Sequence, residues 1–196
     1  MAKTAVGTSA RERLLASANE LFYEEGVHTV GIDRIIEHAG VAKASLYNTF
    51  GSKDELVRAY LQGRQAKMAA RITRFTAGKH TPQERILAVF EAQGEVFAEP
   101  GFNGCAFASA SAESRPGDPG VEVTEEYRAW VRGLFADLAR ELGAPQPDLL
   151  ALQLHLLYDG AGLSARMDHD PAAASAARAA AAVLLDAVRV PDVVSA

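Results

Sequence analysis

The sequence predicts an all-α protein, on three observations. Apolar residues recur at helical spacing along nearly the whole chain, and cap and stop residues punctuate that pattern at regular intervals. No stretch of polar–apolar alternation is long enough to argue for a strand.

Each element has a local reason. Ser9 and Glu12 form a Ser-x-x-Glu capping box, after which Leu14, Leu15, Ala18, Leu21 and Phe22 share one helix face until Gly26. A short helix is expected over about 32–39, with Ile32, Ile35, Ile36 and Ala39 on one side, then a turn at Gly40-Val41 and a third helix over about 43–50. Ser52 with Glu55 repeats the capping box and opens a long helix to about residue 75. Thr81, Pro82 and Glu84 supply cap, first-turn proline and N3 acid for the next, which stops near Pro100. A loop over 101–104, a short helical piece to about 112 and the loop Ser-Arg-Pro-Gly-Asp-Pro-Gly over 114–120 follow, then helices near 123–142, 148–167 and 172–188.

Composition narrows the function classes. With 48% apolar and 23% charged residues among 196, the chain can bury a core. It has neither the ~20-residue apolar run of a membrane span nor a secretory signal pattern, so a soluble, cytoplasmic protein with no membrane partner is expected. The single cysteine, Cys105, excludes an internal disulfide framework and a multi-cysteine zinc site. Its local sequence holds no basic neighbour, and a buried structural thiol is expected there. The net charge of -5 divides unevenly: residues 1–75 hold 11 Lys and Arg against 8 Asp and Glu, the remainder 9 against 17. A basic front suits an anionic partner.

No enzyme is expected, and no cofactor. The chain lacks a Gly-x-Ser-x-Gly elbow, His-Glu-x-x-His, a phosphate loop and Gly-x-Gly-x-x-Gly. Asp168-His169-Asp170 are consecutive and point in different directions from a helix end, so no metal site is expected.

Residues 32–50 carry most of the information. Helices this short are unstable alone and must pack on each other and on the first helix. Ile35, Ile36, Val41, Leu46 and Phe50 can form one small core, leaving Lys43, Ala44, Ser45, Tyr47, Asn48 and Thr49 outward. That face has the size and polarity of a helix laid in a DNA major groove: short Ala and Ser allow close approach, Asn can bond adenine, and Lys can reach guanine or phosphate. The same pattern also fits the polar face of an ordinary helical hairpin. A helical protein-interaction adaptor without DNA binding is therefore the alternative reading.

Ala39-Gly40-Val41, then Leu46-Tyr47-x-x-Phe50, then Ser52-Lys53-x-x-Leu56 resembles the DNA-binding domain of TetR-family transcriptional regulators. The resemblance covers about residues 9–60. It implies that the third helix reads double-stranded operator DNA, that Tyr47 and Lys53 hold phosphates, and that the start of the second helix, near Thr29 to Gly31, does likewise. The chain departs from the family pattern at Gly31, where Ser or Thr is usual, and at Ile36, where a small residue is usual. Thr29 can stand in for the missing hydroxyl.

Two domains are expected, a helix-turn-helix DNA-binding domain over 1–52 and an effector-binding and dimerisation domain over 53–196. A single reading helix gives modest affinity, and such modules usually act in pairs. Leu149, Leu152, Leu156, Leu163 and Met167 line one late helix beside Gly160-Ala161-Gly162, and the last helix is rich in alanine. These helices either pack within their own domain or, as the resemblance implies, form a homodimer through a four-helix bundle. The resemblance also implies a small-molecule effector of unknown identity. Phe90, Gln93, Phe97, Phe107, Tyr127, Trp130, His155 and Tyr158 make an aromatic set with a few polar atoms, suited to a largely apolar ligand. The expected function is a transcriptional repressor released from DNA by that effector.

Overall fold

The structure, a computed structural model, describes residues 9–188. The outer ends of the two expected domains, 1–8 and 189–196, lie outside the described residues. Among those residues there are nine helices and no strand: α1 (Ala10–Glu25), α2 (Ile32–Ala39), α3 (Lys43–Phe50), α4 (Lys53–Thr76), α5 (Pro82–Phe97), α6 (Ala106–Glu113), α7 (Pro119–Glu141), α8 (Pro147–Met167) and α9 (Ala173–Val188). No helix among them is long and apolar enough to cross a membrane.

The caps form as their spacing predicts. Ser9 accepts the Glu12 amide while the Glu12 carboxylate accepts the Ser9 amide, and Thr81 with Glu84 repeats this at α5. The Ser52 hydroxyl accepts the Glu55 N–H at 3.1 Å, starting α4.

The chain divides into two compact units, Met1–Arg64 with Ala106–Glu125, and Gln65–Cys105 with Glu126–Ala196. Helices α4 and α7 each contribute residues to both. In the first unit Leu14, Ala18, Ile35, Leu46, Leu56 and Leu61 are fully enclosed, and Phe22 meets Tyr60 edge-on at 5.6 Å. The expected small core of the hairpin is only partly sealed. Ile35 and Leu46 are buried, but Ile36, Val41 and Phe50 are half-buried. Eight-residue helices offer too few side chains to enclose all five. At Phe50 the Arg11 guanidinium lies 5.6 Å from the ring centroid.

In the second unit α9 packs on both α5 and α8. The approach of α5 to α9 is close: a Cβ on Gly94 would stand 3.2 Å from that of Ala174. Phe90 is enclosed between Phe135, stacked at 5.8 Å, and Tyr158, edge-on at 6.5 Å. Ion pairs fasten the outside, Arg178 with Glu91 at 2.9 Å and Arg85 with Glu141. The one cysteine departs from expectation. Cys105 is exposed, because it lies outside the helices, between Gly104 at φ 87° and the first residue of α6.

Candidate nucleic-acid interface

The candidate face is built from three helices. Gly40 ends α2 in the left-handed conformation, φ 60° and ψ 44°, which reverses the chain within two residues. Its N–H returns to α2, and Arg13 of α1 donates to its carbonyl at 3.2 Å, so α1 braces the turn. Leu46 then anchors α3 from below with no exposed surface.

Above it Lys43, Ala44, Asn48 and Thr49 are exposed, Tyr47 is 45% exposed and Ser45 is half-buried. Lys43, Ala44, Tyr47 and Asn48 fall at i, i+1, i+4 and i+5, one face of the helix. The Thr49 hydroxyl donates to the Ser45 carbonyl at 2.6 Å. Lys43 reaches back to α2. Its ammonium bonds the Asp33 carboxylate at 2.9 Å, and that bond holds the lysine above its ordinary pKa.

The remaining candidates lie off this face. Thr29 is exposed in the corner between α1 and α2. Gly31 precedes α2 with extended backbone, and among the described residues no side chain caps that helix, as expected where Ser or Thr is replaced. Lys53 is half-buried, its ammonium 6.0 Å from the Phe22 ring centroid, and burial pulls its pKa down against the pull of Asp54 and Glu113. It lines a cleft of about 120 Å³ with Val27, His28, Asp54, Val57, Ser114, Asp118, Pro119 and Gly120.

Of the eight effector candidates, Phe107 falls in the first unit and the other seven in the second. Phe90, Gln93, Phe97, Tyr127, His155 and Tyr158 are buried and Trp130 is half-buried, 5.8 Å from Tyr127. Gln93 donates to the Tyr158 carbonyl at 2.8 Å, and its own amide oxygen has no hydrogen-bond partner among the described residues. The Tyr127 and Tyr158 hydroxyls share a 2.9 Å hydrogen bond, and burial pushes both well above the ordinary phenol range. His155 Nε2 lies 3.7 Å from Asp159, which also pairs with Arg128 at 2.7 Å. Among the described residues no group of three His, Cys, Asp or Glu is placed to hold a metal ion.

Sequence reasoning missed Asp33 and Glu113. The ten-residue separation of Asp33 from Lys43 is set by the turn and follows no helical period. Glu113 accepts the His28 amide at 2.9 Å from 85 residues away, a separation with no local signal.

A braced helical hairpin that projects a small polar face beside a basic front defines a helix-turn-helix DNA-binding transcriptional regulator. Residues 14–60 match the family of bacterial regulatory proteins named for tetR. The structure superposes on the crystal structure of a TetR-family transcriptional regulator from Streptomyces coelicolor with a TM-score of 0.85 and 32% identity, covering 91% of this chain and 95% of that one. This chain belongs to the TetR family. It is 28% identical over 173 residues to the transcriptional repressor NemR of Escherichia coli K12, covering 80% of this chain and 84% of NemR. It is 35% identical over 82 residues to the transcriptional activator FasR of Mycolicibacterium smegmatis, and there the match spans 42% of this chain and only 37% of FasR.

Proposed function

We propose that the protein is a cytoplasmic, homodimeric repressor that leaves its operator when a small, largely apolar effector binds. Residues 1–52 read DNA, and residues 53–196 receive the effector and dimerise. One observation carries the DNA-reading part: α3 turns Lys43, Ala44, Tyr47 and Asn48 outward while Leu46 locks it from below. Ser45 and Thr49 flank the base-reading face, and Thr29 and Lys53 meet phosphates on either side. Repression is supported by the match to NemR, which extends over most of both chains, whereas the match to the activator FasR does not.

Dimerisation is supported by α8 and α9. Leu156, Leu163 and Met167 are 62%, 61% and 69% exposed, and Val183 of α9 is 69% exposed. Leaving them wet forgoes about 25 cal/mol per Å² of apolar surface. A second copy offers the same apolar stripe and would bury both. The effector enters the second unit, where the orphan Gln93 carbonyl and the Tyr127–Tyr158 pair supply a few polar atoms among rings. Effector and DNA affinities are then reciprocally coupled, typically by about 1–3 kcal/mol.

The test is binding of the purified protein to DNA upstream of its own gene, against scrambled DNA of equal length, at two salt concentrations. A preference for the native sequence that survives the higher salt supports specific regulation. Equal, salt-sensitive binding to both would leave only a basic surface and defeat operator recognition at that locus.

A further inference from the structure

We infer that Glu113, the last residue of α6, is a positioning residue for DNA binding that touches no DNA itself: its carboxylate holds the α1–α2 corner on which Thr29 is presented. The inference rests on the reading that this corner meets a phosphate.

The base of the corner is tied by Arg34 to Glu25 at 2.6 Å and by the Val30 N–H to the Gly26 carbonyl at 3.3 Å, and the His28 ring approaches Asp118 at 3.9 Å; Glu113 is what takes up the His28 backbone N–H at the tip. Val27 and Val30 are buried on either side, and between them His28 and Thr29 are exposed. Gly26 leaves α1 at φ 94°, a conformation that L side chains rarely adopt, and α2 begins with no side-chain cap among the described residues. Into this gap comes Glu113. One carboxylate oxygen accepts the His28 N–H at 2.9 Å, and the pair of oxygens lies 2.6 and 2.7 Å from where a Cβ of residue 26 would stand. Glycine at 26 therefore does two things, turning the chain and admitting the carboxylate.

Two further facts single this contact out. An acidic side chain in the last turn of α6 faces the negative end of that helix, a placement that costs stability unless a donor satisfies it. A carboxylate on the same unit as the reading head also repels DNA phosphates. Electrostatics alone therefore predicts that removing Glu113 tightens DNA binding, and positioning predicts the reverse. The sign of one measurement separates them.

The test uses full-length protein and a duplex enriched by the wild-type protein from a random-sequence pool. Three variants are compared by fluorescence anisotropy, with amide exchange at His28 followed by NMR. Glu113→Ala removes the acceptor, Glu113→Asp keeps the charge but shortens its reach, and Glu113→Gln keeps the acceptor without the charge. The expected result is a loss of about fivefold for Ala and for Asp, with faster His28 exchange, and Gln within about twofold of wild type or tighter. Binding by Ala that equals or exceeds wild type overturns the inference, as does a Gln variant that loses as much as Ala. Should Ala fail to fold, the Asp and Gln variants decide by the same criteria. A pool from which wild-type protein enriches nothing removes the DNA-reading proposal, and this inference with it.

Discussion

The ammonium of Lys43, first residue of α3, is bonded at 2.9 Å to the carboxylate of Asp33, second residue of α2. The cation at the start of α3 is thus already partnered, and both side chains are more than half in water. Such an exposed pair contributes little to stability. If α3 meets DNA as proposed, Asp33 would aim Lys43 and repel neighbouring phosphates, which disfavours non-cognate sequences.

Asp33→Asn should therefore raise affinity for scrambled DNA more than for the operator. The released lysine adds one phosphate contact, so the slope of log affinity against log salt should steepen by about one. An unchanged slope in an anisotropy titration would show that the pair does not restrain Lys43.

Lys53→Ala should weaken binding to all sequences alike and flatten the salt slope by about one. Tyr47→Phe should cost about 0.5–1.5 kcal/mol of binding with no change of slope, since a neutral hydroxyl releases no counterion. Both variants should keep their helical circular dichroism. Wild-type affinity in either variant would contradict the assignment of a phosphate contact to that side chain.

Leu156 and Leu163 are exposed on one late helix. Replacing both by Glu should yield a helical monomer by sedimentation, because two buried charges per subunit cannot be paired across a self-complementary interface. Operator affinity should fall at least about tenfold, the second reading helix being lost. A double variant that still sediments as a dimer places the interface elsewhere.

His155 gives stability a pH dependence. Burial holds its imidazole below the ordinary value of 6.5, Asp159 opposes that shift, and Arg128 and Arg132 reinforce it. The unfolded chain takes up a proton near that ordinary value which the folded chain refuses. Stability is therefore full above it and declines as the pH falls through it. The thermal midpoint should drop between about pH 7.5 and about pH 5, and His155→Met should reduce that drop. Identical slopes for the two proteins would remove His155 as the cause.

The helices were legible because what starts and stops them is local. Ser9 with Glu12, and Thr81 with Glu84, are partners three residues apart, and a cap needs nothing beyond that span. The hairpin was legible for a related reason: Gly40 between two short apolar-faced segments permits few other arrangements. The missing side-chain cap on α2 could be read directly from Gly31. Burial was less accessible. Ile36, Val41 and Phe50 read as core by type and spacing yet remain half-buried, and Cys105 read as enclosed yet is exposed.

By itself, then, the sequence determined an all-helical chain, the order of its elements, and a hairpin of two short helices near its start. Those follow from propensity, capping and periodicity, interactions that act over a turn or two of helix. Only the tertiary structure decided that α6 belongs to the same compact unit as α1–α3, that Asp33 restrains Lys43, and that Glu113 grips the His28 amide from 85 residues away. A hydrogen bond acts over about 3 Å whatever the separation along the chain, so contacts of this kind leave no period or spacing in the sequence.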